Sequence, residues 1–137
     1  MGSVPLFEFH HTGVAVADMQ QAIAEYKLLF DYDVTDGPYD DPIQKVSVCF
    51  LGRGAGDPAL ELVAPAGTDS PVSRILKKGG GAYHVCYLVA DIEAAIQHLT
   101  GNGSFLLSAP VPAVAFQMRK IAWLVTDTGL LTELVET

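Results

Sequence analysis

The amino-acid sequence predicts an α+β fold made of two tandem βαβββ modules, on three observations. Residues 11–23 (HTGVAVADMQQAI) recur as residues 84–96 (HVCYLVADIEAAI), an offset of 84 minus 11, or 73. Residues 60–64 (LELVA) recur as 132–136 (TELVE), at 133 minus 61, or 72. In each copy a β-branched, alternating run reaches an aspartate, Asp18 or Asp91, and then takes on helical periodicity.

Each element follows from local chemistry. The run from about residue 6 to Val16 alternates as a strand does. Asp18 is a good helix N-cap, and with Gln21 it has the spacing of a capping box, so a helix is predicted over Met19–Phe30. Strands follow near Tyr32–Thr35, Lys45–Leu51 and Ala59–Ala64, the last two joined by the turn-rich run 52–58 (GRGAGDP). Ser70-Pro71 starts a short helix to Lys78, and Gly79, Gly80 and Gly81 end it as a hinge-like linker. The second copy repeats the plan: a strand over Ala82–Val89, a helix over Ile92–Thr100, then strands near Phe105–Ser108, Arg119–Val125 and Leu130–Val135. The 137 residues therefore read as one domain, with module one at about 6–66, the linker helix at about 70–81 and module two at about 82–137.

Composition narrows the function. The chain is 50% hydrophobic, enough for a core without staples. Cys49 and Cys86 lie in apolar runs and lack the spacing of a disulfide framework or zinc ribbon, which suits a reducing cytoplasm. No basic-then-apolar leader and no bilayer-length apolar run is present, so a cytoplasmic location without membrane insertion is expected. A net charge of -8 with only eight basic residues argues against a nucleic-acid partner. No phosphate loop, nucleotide fingerprint or catalytic triad is evident.

Four polar residues stand out in the apolar strands. Side chains alternate along a strand, so His11 faces away from Val14 and Val16, and His84 away from Val85, Tyr87 and Val89. Glu61 points opposite Leu60 and Leu62, and Glu133 opposite Thr132 and Leu134. A lone strand histidine is usually satisfied by backbone, and a lone strand glutamate usually faces solvent. Recurrence of both types at equivalent repeat positions favours a shared metal site, since a divalent cation offsets the cost of burying two carboxylates. The expected arrangement is a curled, mostly antiparallel sheet around a cup in which His11, Glu61, His84 and Glu133 hold one divalent ion. Mixed nitrogen and oxygen donors suit Zn, Ni, Co, Mn or Fe. His10 is the competing ligand; Tyr83 stands at the equivalent place, so His10 reads as structural or rim, and His98 as solvated on its helix. Trp123, Phe116, Met118 and Tyr87 read first as core, and Cys86, on the His84 face, as a small buried hydrophobe.

Paired βαβββ modules with this His, Glu, His, Glu order resemble the vicinal oxygen chelate superfamily of glyoxalases, bleomycin-resistance proteins and dioxygenases. The likeness covers nearly the whole chain. It is strongest to the methylmalonyl-CoA epimerases, through residues 69–72 (DSPV), Ile75-Leu76, 83–85 (YHV), 89–95 (VADIEAA), 119–122 (RKIA) and 133–136 (ELVE). Two departures lie at the rim: Tyr83 where those epimerases commonly carry a second histidine, and 114–118 (VAFQM) where they carry a Gly- and His-containing loop. The final turn, 126–129 (TDTG), is shortened.

The resemblance implies a metal-dependent epimerase that abstracts a proton next to a carbonyl, with an enolate stabilised by the metal. Its substrate would be a small molecule such as methylmalonyl-CoA or a related acyl compound, and the protein a homodimer. Glu133 is then a ligand that swings off the metal as catalytic base, with Glu61 as its counterpart on the other substrate face. Arg53, Arg74, Lys77, Lys78, Arg119 and Lys120 are mostly solvated charges that could meet phosphates. The alternatives are a glyoxalase I-like lyase acting on a glutathione hemithioacetal through the same ligands, and a metal-free drug-binding protein. An extradiol dioxygenase fits less well, because a second glutamate fills a position that iron chemistry keeps open.

Overall fold

A computed structural model describes residues 4–54 and 59–137. Among them the elements run β1 (Glu8–Ala15), α1 (Met19–Phe30), β2 (Asp33–Asp41), β3 (Val46–Gly52), β4 (Ala59–Pro65), α2 (Pro71–Lys77), β5 (Gly81–Val89), α3 (Ile92–Thr100), β6 (Phe105–Ala113), β7 (Arg119–Val125) and β8 (Leu131–Glu136). This is the α+β plan of βαβββ, twice, with strands of mixed direction. The described residues divide into two compact units, one of residues 11–83 and one of 84–137 with residues 4–10.

In the unit of residues 11–83 the strand order is β2-β3-β4-β1, with β1 and β4 parallel and the other neighbours antiparallel. The Asp18 carboxylate accepts the Gln21 N–H at 3.0 Å and starts α1, which ends where Asp31 turns left-handed. Helix α1 packs Ala22 on Val14, Cys49, Leu51 and Leu62. Because strand side chains alternate, this leaves Phe50 and Glu61 on the face away from α1. Ser70 caps α2 and Pro71 occupies its first turn. At Gly80, φ is +70° and an added Cβ would stand 3.1 Å from the Ala15 carbonyl oxygen, so a side chain there would be strained and glycine is favoured at the exit from α2.

The second unit repeats the pattern, with order β5-β8-β7-β6 and β5 parallel to β8. Asp91 accepts the Ala94 N–H at 3.1 Å, and the Glu136 carboxylate accepts the Ile92 N–H at 3.0 Å, so two carboxylates hold the start of α3. Ile92, Ala95 and Ile96 pack on Val89, Ala122, Leu124 and Leu134. Trp123 and Glu133 therefore face away from α3.

Several expectations need correction. Strands β2 and β6 run to Asp41 and Ala113, well past the expected ends at Thr35 and Ser108. Each is paired on one side only within its unit, with Pro38 or Pro110 and Pro112 in it and register shifts against its neighbour. A 3-10 turn over Val114–Phe116, unanticipated, precedes β7. His98 is half-buried, its ring 6.0 Å from that of Phe7, rather than solvated. Met118 is exposed, not core. Of the expected turn at 52–58, residues 55–58 lie outside the described residues.

Candidate metal centre

Each unit carries one buried imidazole beside one buried carboxylate. In residues 11–83, β1 and β4 run parallel as neighbours, which sets His11 Nε2 3.3 Å from Glu61 Oε1. In the other unit, parallel β5 and β8 set His84 Nε2 3.6 Å from Glu133 Oε1. The four residues are between 0% and 4% exposed, where isolated charges are costly.

Donor chemistry fits a divalent ion. Charge-assisted N–H···O bonds are usually about 2.7–2.9 Å long. Ligand atoms about 2.1 Å from a divalent ion, at tetrahedral or octahedral angles, stand about 3.0–3.4 Å apart. The His11–Glu61 separation of 3.3 Å falls in that second range, and 3.6 Å for His84–Glu133 lies just beyond it. His11 with Glu61, and His84 with Glu133, thus each offer a buried nitrogen and oxygen donor pair suited to a metal ion.

An aromatic ring stands edge-on to each histidine. Phe50 lies 5.4 Å from His11 at 72°, and Trp123 lies 4.8 Å from His84 at 84°. Reading strand aromatics as core missed these neighbours; the signal was the repeat, since 123 minus 50 is 73, the offset of the histidines themselves. His10 is half-buried with its ring 5.7 Å from Phe116, in keeping with a structural role. Cys86 and Cys49 are fully buried, and burial raises the pKa of Cys49. Arg74, Lys77, Lys78 and Lys120 are exposed. Arg119 donates from Nε to the Phe116 carbonyl, and the Arg53 guanidinium lies 5.9 Å from the Tyr32 ring centre. No helix among the described residues is long and apolar enough to cross a membrane.

Duplicated βαβββ topology with a buried His–Glu pair in each half defines a class, and comparison with known proteins places the chain within it. The sequence profile of the Glyoxalase/Bleomycin resistance protein/Dioxygenase superfamily matches residues 10–123. Over 117 residues the chain is 32% identical to the ethylmalonyl-CoA/methylmalonyl-CoA epimerase of Cereibacter sphaeroides, covering 84% of this chain and 85% of that protein. The fold is shared with the methylmalonyl-CoA epimerase of Mycobacterium tuberculosis at a TM-score of 0.82 and 24% identity, over 99% of this chain and 92% of the other. A variant of the Streptomyces coelicolor methylmalonyl-CoA epimerase, in complex with 2-nitronate-propionyl-CoA, aligns at a TM-score of 0.78 and 25% identity, over 96% of this chain and 98% of the other. The chain belongs to the glyoxalase/bleomycin resistance/dioxygenase superfamily. Its relatives in that superfamily include methylmalonyl-CoA epimerases.

Proposed function

We propose that this chain is a metal-dependent epimerase that moves a proton between the two faces of the carbon next to a thioester carbonyl, as in methylmalonyl-CoA, with His11, Glu61, His84 and Glu133 holding one divalent ion. The observation that carries this reading is the buried His–Glu pair made twice, at 3.3 Å and 3.6 Å, by equivalent strands of a duplicated module. Likeness to the Cereibacter sphaeroides epimerase supports the acyl-CoA substrate class. Homodimerisation belongs to the same proposal.

When bound, a divalent ion supplies positive charge beside the carbonyl oxygen, where negative charge develops as the neighbouring C–H bond breaks. The rest is the work of the chain's own residues. The Glu133 carboxylate accepts the proton from carbon, and the electron pair of that bond passes into the enolate. Glu61, released from the ion and protonated, delivers its proton to the opposite face, so that the configuration at carbon inverts and Glu61 is left as the carboxylate.

The test is solvent deuterium exchange into methylmalonyl-CoA. With Glu133→Gln, exchange should fall by about 100-fold or more, the usual worth of a positioned base, while the bound metal stays near one ion per chain. Undiminished exchange refutes the role of Glu133. Wild-type protein inert towards the thioester but active on a glutathione hemithioacetal would instead establish the lyase.

A further inference from the structure

Phe50 and Trp123 occupy equivalent places in the two units. Phe50 is the direct cross-strand partner of Glu61, and Trp123 of Glu133. Each ring thus stands on the same sheet face as the glutamate it opposes, at the usual cross-strand Cβ spacing of about 4.5–5.5 Å. Each also meets the histidine paired with that glutamate edge-to-face, at 72° for Phe50 on His11 and 84° for Trp123 on His84. Aromatic neighbours that only fill space adopt many tilts; the same edge-on geometry built twice, on the same two partners, indicates a directional contact.

We propose that Phe50 and Trp123 are positioning residues, holding the imidazoles of His11 and His84 so that Nε2 stays against the glutamate of its own pair. The physical need is plain. The terminal torsion of a histidine is broad and roughly two-fold, so an unrestrained ring exchanges Nε2 for a carbon at the ligand position. A flat ring set against the imidazole resists that turn, as a hydrogen-bonded neighbour does in many metal sites. The proposal rests on the reading of the pairs as metal ligands for its function, and the test keeps the two separable.

The first measurement is made on metal-free protein by NMR of the imidazole side chains. In Trp123→Leu, the nuclear Overhauser contacts between the His84 ring and the Glu133 side chain should weaken several-fold, with the His11 contacts to Glu61 unchanged. Phe50→Leu should do the reverse, and Trp123→Phe, which keeps a ring edge, should restore the His84 contacts. The second is Co(II) binding followed by quenching of Trp123, the single tryptophan. Affinity should fall about 10-fold in Phe50→Leu, within the range found for residues that orient metal ligands. Equilibrium dialysis should give a similar loss for Trp123→Leu and a loss of no more than about 2-fold for Trp123→Phe. Should either leucine variant lose its native near-ultraviolet spectrum, Trp123→Met and Phe50→Met, flexible fillers without a ring, replace them.

Imidazole contacts unchanged in both ringless variants would overturn the proposal, as would wild-type Co(II) affinity in both. Failure of wild type to take up Co(II) would sink the metal reading alone, and the NMR comparison would then decide on positioning.

Discussion

Glu61 and Glu133 are the residues whose placement most needs a cause. Each stands in a strand whose neighbouring side chains, Leu62 and Leu134, pack under a helix, and each is nearly inaccessible. A carboxylate in such a place needs a compensating charge, which an imidazolium or a metal ion can supply. The two thiols differ from these groups: both are buried, and the raised pKa of Cys49 keeps it protonated at neutral pH. We expect native protein to resist iodoacetamide at pH 8 over an hour, with both thiols labelled once urea is added; rapid stoichiometric labelling of the native chain would contradict this. The two buried His–Glu pairs were legible in the sequence because their residues recur in register and interrupt apolar alternation. Phe50 and Trp123 were not, because an aromatic residue in a strand looks the same whether it fills a core or steadies a neighbour.

Helices and central strands follow closely from local signals. Helices α1 and α3 begin at residues foreseen from Asp18 and Asp91, whose carboxylates take the Gln21 and Ala94 amides. Asp18→Ala or Asp91→Ala should each cost about 1 kcal/mol in urea unfolding, less at Asp91 because the Glu136 carboxylate already takes the Ile92 amide. A larger loss is expected from Leu134→Ala, about 2–5 kcal/mol, since that side chain is fully buried against α3. An effect below about 1 kcal/mol would mean that α3 is not anchored there. Strands β2 and β6 were only half legible. Their Gly37-Pro38 and Pro110, Pro112 sequences and the acidic residues of β2 are poor strand formers, yet pairing with β3 or β7 carries the backbone on, with register shifts. Local propensity gives way there to tertiary pairing.

For the molecule as a whole, duplication explains why so much of the fold could be read from one sequence: each module tests the other, and a feature present in both is rarely accidental. Substrate identity has no such second copy. On the proposed reading it would turn on positions such as Tyr83 and 114–118, which the duplication does not cross-check. A group that binds only the folded chain stabilises it by mass action, about 2.7 kcal/mol at a free concentration 100 times its Kd. Melting of protein purified without an affinity tag should therefore rise by several degrees on adding Co(II) or Zn(II) and return with EDTA, whereas an unchanged midpoint would indicate no specific site.

The sharpest measurement is metal stoichiometry by elemental analysis after equilibrium dialysis of wild type, His11→Ala and His84→Ala. One ion per chain is expected for wild type, with near-complete loss in both variants while each keeps its circular dichroism. No ion in wild type, or an ion retained by either alanine variant, would contradict a single centre built from both His–Glu pairs.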